Sequence, residues 1–187
     1  MLKVFVFLFL FNVNSLISQH SGEVSIFHRL LILNADNELM VVKIENSDFW
    51  VTPGLYQNDR QTIKSGLDSI AGTYGLQIYD PSFKGMFTLE REINGTHSYS
   101  LRNVFLAWVK EDHLVLPQGI SDVKWLPINK ATELISFPHI NTMIRQVMEH
   151  PGVIWGGSLL QYKDHEGFKT RILEEFYPLN TGVSIKN

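Results

Sequence analysis

A proline-glycine pair, followed by a polar loop and an amphipathic segment, is the feature that most constrains how this chain can fold. The stretch runs from Trp50 to Leu76 and reads WVTPGLYQNDRQTIKSGLDSIAGTYGL. Its apolar residues recur at intervals of three and four, which predicts an α-helix with one side facing a core. Asn58 or Asp59 is expected to cap the start, and Gly75 to end the helix in a left-handed conformation. The apolar side comprises Ile63, Gly66, Leu67, Ile70, Ala71 and Tyr74.

Strand-forming runs surround this predicted helix. Residues 25–34 and 38–46 predict a β-hairpin, because both are rich in β-formers and a short polar loop separates them. Residues 76–92 and 96–112 predict a second, longer hairpin, with an Asn-Gly pair at its tip. The later strand of this pair is apolar on both faces, so we expect it to lie in the middle of its sheet.

The second half of the chain predicts one more strand, two helices and a final hairpin. A short strand ends at Trp125-Leu126, a helix starts near Asn129, and a closing helix covers about residues 140–149. Two strand-like segments, 153–162 and 168–179, then flank a polar turn and predict a C-terminal hairpin.

The glycine-bounded helix resembles the signature segment of the Nudix hydrolases, and the resemblance covers roughly residues 24–150. Gly54, Ile70, Gly75 and Leu76 occupy the positions of that signature's opening glycine, internal aliphatic residue and closing glycine-aliphatic pair. The resemblance implies an α/β (α+β) fold, a Nudix-like α/β/α sandwich with a mixed β-sheet. The C-terminal β-hairpin is an addition to that fold.

The acidic residues of the signature are absent from this chain. Asp68-Ser69 stands where the family has Arg-Glu, Gly72-Thr73 stands where it has Glu-Glu, and the upstream glutamate falls on Arg60 or Gln61. Carboxylates are needed because they hold the Mg²⁺ that neutralises phosphate charge during hydrolysis. The resemblance therefore implies no metal site and no expected cofactor. It favours a catalytically inactive module that binds a ligand or a partner.

An active hydrolase of a nucleoside diphosphate-linked or other phosphorylated substrate is the alternative. It would use Mg²⁺ or Mn²⁺ held by non-standard ligands, with Asp59 and Asp68 as the weak catalytic candidates closest to the signature. The carboxylates considered for such a site are Asp59, Asp68, Glu90, Glu92 and Glu111.

Four residues are candidates for binding a small phosphorylated ligand. Arg91, Tyr99 and Arg102 flank the second predicted hairpin, and arginine can bind phosphate through two parallel hydrogen bonds. Phe137 could stack on a base or a sugar ring, although core packing is the more frequent role of such a residue. An exposed surface position is the alternative for the arginines.

The first residues indicate export. Residues 1–18 combine an early lysine, an apolar run and a small-residue end, which is typical of a signal peptide; an N-terminal membrane anchor is the alternative. We therefore expect a periplasmic or secreted protein with a Nudix-like domain at 23–150 and the hairpin extension, 151–187, packed on it.

With 16 basic and 19 acidic residues, the chain has no charge pattern for nucleic acid or, after cleavage, for a membrane. A homodimer remains open.

Overall fold

The computed structural model describes residues 24–180, so the predicted signal peptide, residues 1–18, lies outside the described residues, as do residues 181–187. The described residues form ten strands and three helices. The strands are β1 (Ser25–Leu33), β2 (Leu39–Ile44), β3 (Trp50–Val51), β4 (Gly54–Tyr56), β5 (Leu76–Ile78), β6 (Ser82–Ile93), β7 (Thr96–Asp112), β8 (Ile120–Leu126), β9 (Trp155–Asp164) and β10 (Gly167–Pro178). The helices are α1 (Ile63–Thr73), α2 (Ile128–Leu134) and α3 (Pro138–Glu149). None of these helices of residues 24–180 is long and apolar enough to span a membrane.

The strands form one mixed sheet in the order β10-β9-β6-β7-β1-β2-β3. Strand β7 lies between β6, which is antiparallel to it, and β1, which is parallel. Its interior residues are buried from Arg102 to Ala107. The predicted central position of this strand is therefore confirmed.

Two hydrophobic cores cover the two faces of the sheet, because successive residues of a strand point to opposite sides. Leu31 and Leu33 pack towards α2 and α3, whereas Leu30 and Ile32 pack towards α1. Helix α1 therefore lies on one face, and α2 and α3 lie on the other. This is the predicted α/β/α sandwich.

The signature helix starts later than its sequence suggests. Thr62 is its N-cap and accepts a hydrogen bond from the Ser65 amide, so the expectation of a cap at Asn58 or Asp59 is wrong. The Asn58 side chain instead accepts from the Arg60 amide, two residues on. Ile63, predicted to face the core, is 48% exposed because it lies in the first turn, beyond the edge of the core.

The predicted strand 76–92 is two strands. Strand β5 ends at Ile78, and β6 begins at Ser82, while both pair with β7. Pro81 lies in the break, where its missing N–H cannot join the ladder. The Asn-Gly tip is as expected, since Asn94 and Gly95 both have positive φ, 53° and 76°.

The C-terminal hairpin extends the sheet. Strand β9 pairs in parallel with β6, and β10 pairs antiparallel with β9. Leu159 on β9 is fully buried, and the rings of Phe176 and Phe87 meet edge to face at 5.6 Å. The hairpin therefore shares the core on the α2 and α3 side of the sheet.

Candidate functional site: a buried arginine pocket

A pocket of about 450 Å³ opens where β1 and β2 separate. The two strands are in register at Leu33 and Leu39, but further along each takes a different neighbour. Arg29 of β1 pairs with Gly54 of β4, and Val42 of β2 pairs with Val51 of β3. The segment between β3 and β4 thus forms part of the pocket wall. The volume is within the range that small-molecule sites occupy.

Strand periodicity brings the polar residues of the pocket onto one face of the sheet. Arg29 lies two residues before Leu31 on β1, and Arg102 lies two residues before Val104 on β7, so each arginine points to the same face as that apolar residue. Leu31 and Val104 both pack towards α2 and α3. The same rule places Arg91 of β6 and Gln161 of β9 on that face, and these two are in register. We call the group formed by Arg29, Arg91, Arg102, His139 and Gln161 the arginine pocket.

Arg29 is a buried cation within a strand of apolar residues. It is 4% exposed, and its Nη1 donates to the Thr52 hydroxyl at 2.6 Å and to the Thr52 carbonyl at 3.3 Å. Burial, and then repulsion from Arg102, lower the pKa of Arg29 to about 9. The guanidinium is therefore still charged at neutral pH, in a place where charge is costly.

Arg102 stacks on aromatic rings beside Arg29. Its guanidinium carbon lies 4.8 Å from the centre of the Phe27 ring and 5.6 Å from that of Tyr56, and Arg29 lies 5.2 Å from the same Phe27 ring. Burial lowers the pKa of Arg102, and Arg91 adds repulsion, while Tyr56 acts in the opposite direction. Cation–π stacking offsets part of the cost of burying these charges.

Gln161 forms a hydrogen bond with Arg91 inside the pocket. Its side-chain oxygen accepts a hydrogen bond from Arg91 Nε at 3.1 Å, and its amide nitrogen Nε2 is buried without a partner among the described residues. Three more pocket nitrogens are buried without a hydrogen-bond partner among the described residues: Arg29 Nε, Arg102 Nε and His139 Nδ1. Buried polar groups in proteins nearly always have partners. Four pocket residues therefore each have a buried nitrogen whose hydrogen-bonding capacity no described residue uses.

The pocket wall carries positive charge without a compensating acid. Its lining includes three arginines and a histidine, and no aspartate or glutamate of the described residues lines it. The first turn of α3 also lines it through His139 and Ile140, and no side chain from the described part of the chain caps the N-terminus of this helix. A helix N-terminus carries partial positive charge. Both the arginines and the start of α3 therefore place positive charge at the pocket wall.

Three of the four ligand-binding candidates line this pocket. They are Arg91, Arg102 and Phe137. The centre of the Phe137 ring also lies 5.1 Å from that of Phe49 and 4.8 Å from that of Phe168. Tyr99 is 54% exposed and does not line the pocket.

Sequence reasoning missed Arg29, His139 and Gln161. The signal for Arg29 was present in the sequence, because a charged residue interrupts the apolar run of β1. His139 and Gln161 gave no such signal, because each reaches the pocket through long-range packing of α3 and β9.

The signature positions on α1 do not fit a divalent metal. Ser69, Gly72 and Thr73 are all exposed, and the Thr73 hydroxyl donates to the Ser69 carbonyl at 2.7 Å. Asp68 forms an exposed ion pair with Lys64 at 3.5 Å. Mg²⁺ is held by carboxylate oxygens, and these positions offer hydroxyl groups or no side chain at all.

The other acidic candidates are dispersed. Asp59 lies on the exposed loop before α1, and Glu111 is exposed near the end of β7. Glu90 and Glu92 alternate with Arg91 on β6 and so point away from the arginine pocket. Within residues 24–180, no three histidine, cysteine or acidic side chains come close enough to hold a metal ion.

No protein-family model matches the sequence, and no curated protein matches it. Solved structures do match the fold. A mutator MutT protein from Bacillus halodurans has a TM-score of 0.66 at 16% identity, over 80% of this chain and 97% of that one. A MutT protein from Methanosarcina mazei has a TM-score of 0.55 at 18% identity, over 71% and 98%. A Nudix hydrolase from Nitrosomonas europaea has a TM-score of 0.56 at 13% identity, over 68% and 90%.

At these identities the likeness is one of fold. The chain has the fold of the Nudix and MutT hydrolases, which confirms the expected Nudix-like sandwich with a mixed sheet. The matched structures are covered almost completely, so the shared part is a whole domain.

Proposed function

We propose that this protein uses its Nudix-type fold to bind a small phosphorylated ligand in the arginine pocket, without a divalent metal. The observation that supports this most is that, within residues 24–180, the pocket lining combines three arginines and unpartnered buried nitrogens with no carboxylate. In most phosphate-hydrolysing sites the metal supplies the positive charge. Here the charge comes from guanidinium groups, which bind phosphate oxygens directly.

Direct binding by arginine is consistent both with the residues at the signature positions of α1 and with the residues that line the arginine pocket. The α1 positions that carry metal-binding glutamates in the family have no carboxylates in this chain, so the phosphate needs another source of positive charge. Arg102 and Arg29 supply it from inside the sheet, and the uncapped start of α3 adds backbone partial charge. The ligand is therefore held by the protein alone and is released unchanged.

Calorimetric titration with pyrophosphate in the presence of EDTA tests the proposal. The wild-type protein is expected to bind, and Arg102→Met to lose affinity by about tenfold or more, since a charge-assisted hydrogen bond contributes at least 1.5 kcal/mol. Arg145→Met is the matched control, because Arg145 is an exposed arginine on α3 that does not line the pocket. Absence of binding, or equal losses in the two variants, would overturn the proposal.

A hydrolase screen addresses the alternative of an active enzyme. Nucleoside diphosphate-linked compounds are incubated with the protein and Mg²⁺ or Mn²⁺, and phosphate release is followed. We expect no turnover above that of the buffer. Turnover that Asp68→Asn abolishes would replace this proposal with an enzyme that uses non-standard ligands.

A further inference from the structure

His139 differs from the other members of the arginine pocket because its charge can change near neutral pH. It is the second residue of α3 and is 5% exposed. Its Nδ1 is buried and has no hydrogen-bond partner among the described residues. A buried imidazole usually has a partner that fixes its orientation and its protonation state.

The groups that face His139 are cationic or neutral. Arg29 faces it from β1, Arg91 from β6 and Arg102 from β7, and the neutral Gln161 lines the same pocket from β9. The Phe137 ring lies 6.0 Å from the imidazole ring, and no described acidic residue lines the pocket. Burial, followed by repulsion from Arg29, Arg102 and Arg91, holds the pKa of His139 well below 6.5. Without a ligand the ring is therefore neutral.

A bound dianion would reverse this balance. Two negative charges among the three guanidinium groups cancel their repulsion, and an acceptor oxygen gives the imidazolium a partner that no described residue supplies to Nδ1. The added proton then gains a hydrogen bond and loses its unfavourable neighbours. The same change strengthens ligand binding, because affinity and proton affinity are linked.

We propose that His139 is a ligand-binding residue that takes up one proton from solvent when a tetrahedral dianion enters the arginine pocket. The proton balance is simple: neutral His139, one proton and the free dianion give the imidazolium–dianion complex. This inference rests on the proposed function and adds the ligand class to it. The favoured ligands carry a terminal dianionic group, such as a phosphomonoester, and bind more tightly as the pH falls from 8 towards the pKa of about 6 at which that group itself takes up a proton.

Sulfate is the appropriate probe, because it remains a dianion throughout the relevant pH range and cannot supply or accept the measured proton itself. Calorimetric titrations of the wild-type protein at pH 6 and pH 8, in buffers of different ionisation enthalpy, give the number of protons taken up. We expect uptake of about one proton per sulfate at the lower pH and almost none at the higher one. Affinity should fall by up to about tenfold for each pH unit between these limits.

Two histidine variants identify the group that takes up the proton. His139→Gln keeps a polar side chain that cannot titrate, so proton uptake and pH dependence should both disappear. His165→Gln is the control, because His165 is an exposed residue of the β9–β10 turn, and it should behave like the wild type. If the His139 variant does not fold, the wild-type proton count still decides whether binding is proton-linked.

The outcomes separate this inference from the proposed function. Sulfate binding with no proton uptake, or uptake that persists in folded His139→Gln, would overturn the role of His139 while leaving the arginine pocket as the binding site. Failure of pyrophosphate to bind, whether or not sulfate binds, would overturn the proposed function itself. Uptake that depends on His139 supports both.

Discussion

The two buried arginines that contact the Phe27 ring destabilise the folded protein when no ligand is bound. The guanidinium groups of Arg29 and Arg102 lie 5.2 and 4.8 Å from the centre of the Phe27 ring, and both side chains are buried. The two like charges repel each other, which helps to lower the pKa of Arg29, and the interior of a protein solvates them poorly. Binding sites often keep such unfavourable arrangements, because the ligand compensates for them.

Replacing one of these arginines should separate stability from binding. Arg102→Met retains the length of the side chain and removes its charge, so the repulsion with Arg29 disappears while the cation–π contacts are lost. We expect the free energy of unfolding of the ligand-free protein to be unchanged or to rise by up to about 2 kcal/mol, as when buried charges are replaced by hydrophobic residues. Chemical denaturation measures this. A loss of more than about 2 kcal/mol would mean that Arg102 is primarily structural.

The neutral state of His139 predicts how stability depends on pH. Its pKa is lowered in the folded state and returns to about 6.5 on unfolding, so the unfolded chain binds more protons below that pH. This contribution to stability is complete above pH 6.5 and is lost as the pH falls below it. The loss is at most about 1.4 kcal/mol per pH unit.

Denaturation of wild type and His139→Gln at pH 7.5, 6.5 and 5.5 measures this contribution. The difference in unfolding free energy between the two proteins should shift against the wild type as the pH falls. A constant difference at all three pH values would contradict the neutral, buried state of His139. Comparing the two proteins cancels the effect of the carboxylates, which both share.

The sequence contained part of the information about the site. Arg91 and Arg102 could be selected because arginine suits phosphate, and the structure places both in the pocket. Tyr99 could have been separated from Arg102, since three positions along one strand place two side chains on opposite faces. His139 could not be found in this way, because the packing of α3 against the sheet determines what it faces.

At the scale of elements, two glycines let the C-terminal hairpin close upon itself. A Cβ atom at Gly156 would lie 2.7 Å from the Tyr177 ring, and one at Gly157 would lie 2.5 Å from the Phe176 ring. Phe176 in turn contacts Phe87, a fully buried residue of β6. The pair of glycines is visible in the sequence, but the ring that each one accommodates depends on the register of β9 and β10.

Substituting glycines should therefore have opposite effects in two elements. Gly157→Ala displaces Phe176 within a packed core and should cost about 1–3 kcal/mol. Gly72→Ala on α1 is the control, because a Cβ there meets nothing within 4 Å, and alanine favours a helix over glycine by about 0.8–1 kcal/mol. Thermal unfolding of the two variants measures both effects. A stabilised Gly157→Ala would show that the hairpin can move away from β6.

At the scale of the molecule, the architecture follows from patterns that the sequence displays. Alternating apolar residues specify which strand faces meet α1 and which meet α2 and α3, so the sandwich could be predicted. The pocket could not, because it forms where β1 and β2 separate after the pair of Leu33 and Leu39. That separation depends on β3 and β4, which have two and three residues and give almost no sequence signal.

The charge of the whole chain opposes the charge of the pocket. The formal net charge is −3, so the long-range field does not attract anions, and binding must come from contacts made inside the pocket. A ligand that binds the folded state alone stabilises it by about 2.7 kcal/mol at a concentration of 100 times its Kd. In a chain of this size each kcal/mol raises the Tm by about 2–4 °C, so pyrophosphate at that concentration should raise it by about 5–11 °C.

The effects of metal and of single arginine substitutions on this Tm shift distinguish binding by arginines from binding through a metal ion. EDTA should leave the shift unchanged, because guanidinium groups supply the positive charge. Arg145→Met should retain it, and Arg102→Met should lose most of it although its ligand-free Tm is equal to or above that of the wild type. A shift that appears only with Mg²⁺ or Mn²⁺ would instead mean that the ligand enters with its metal. The acidic residues dispersed over the surface would then have to come together on binding.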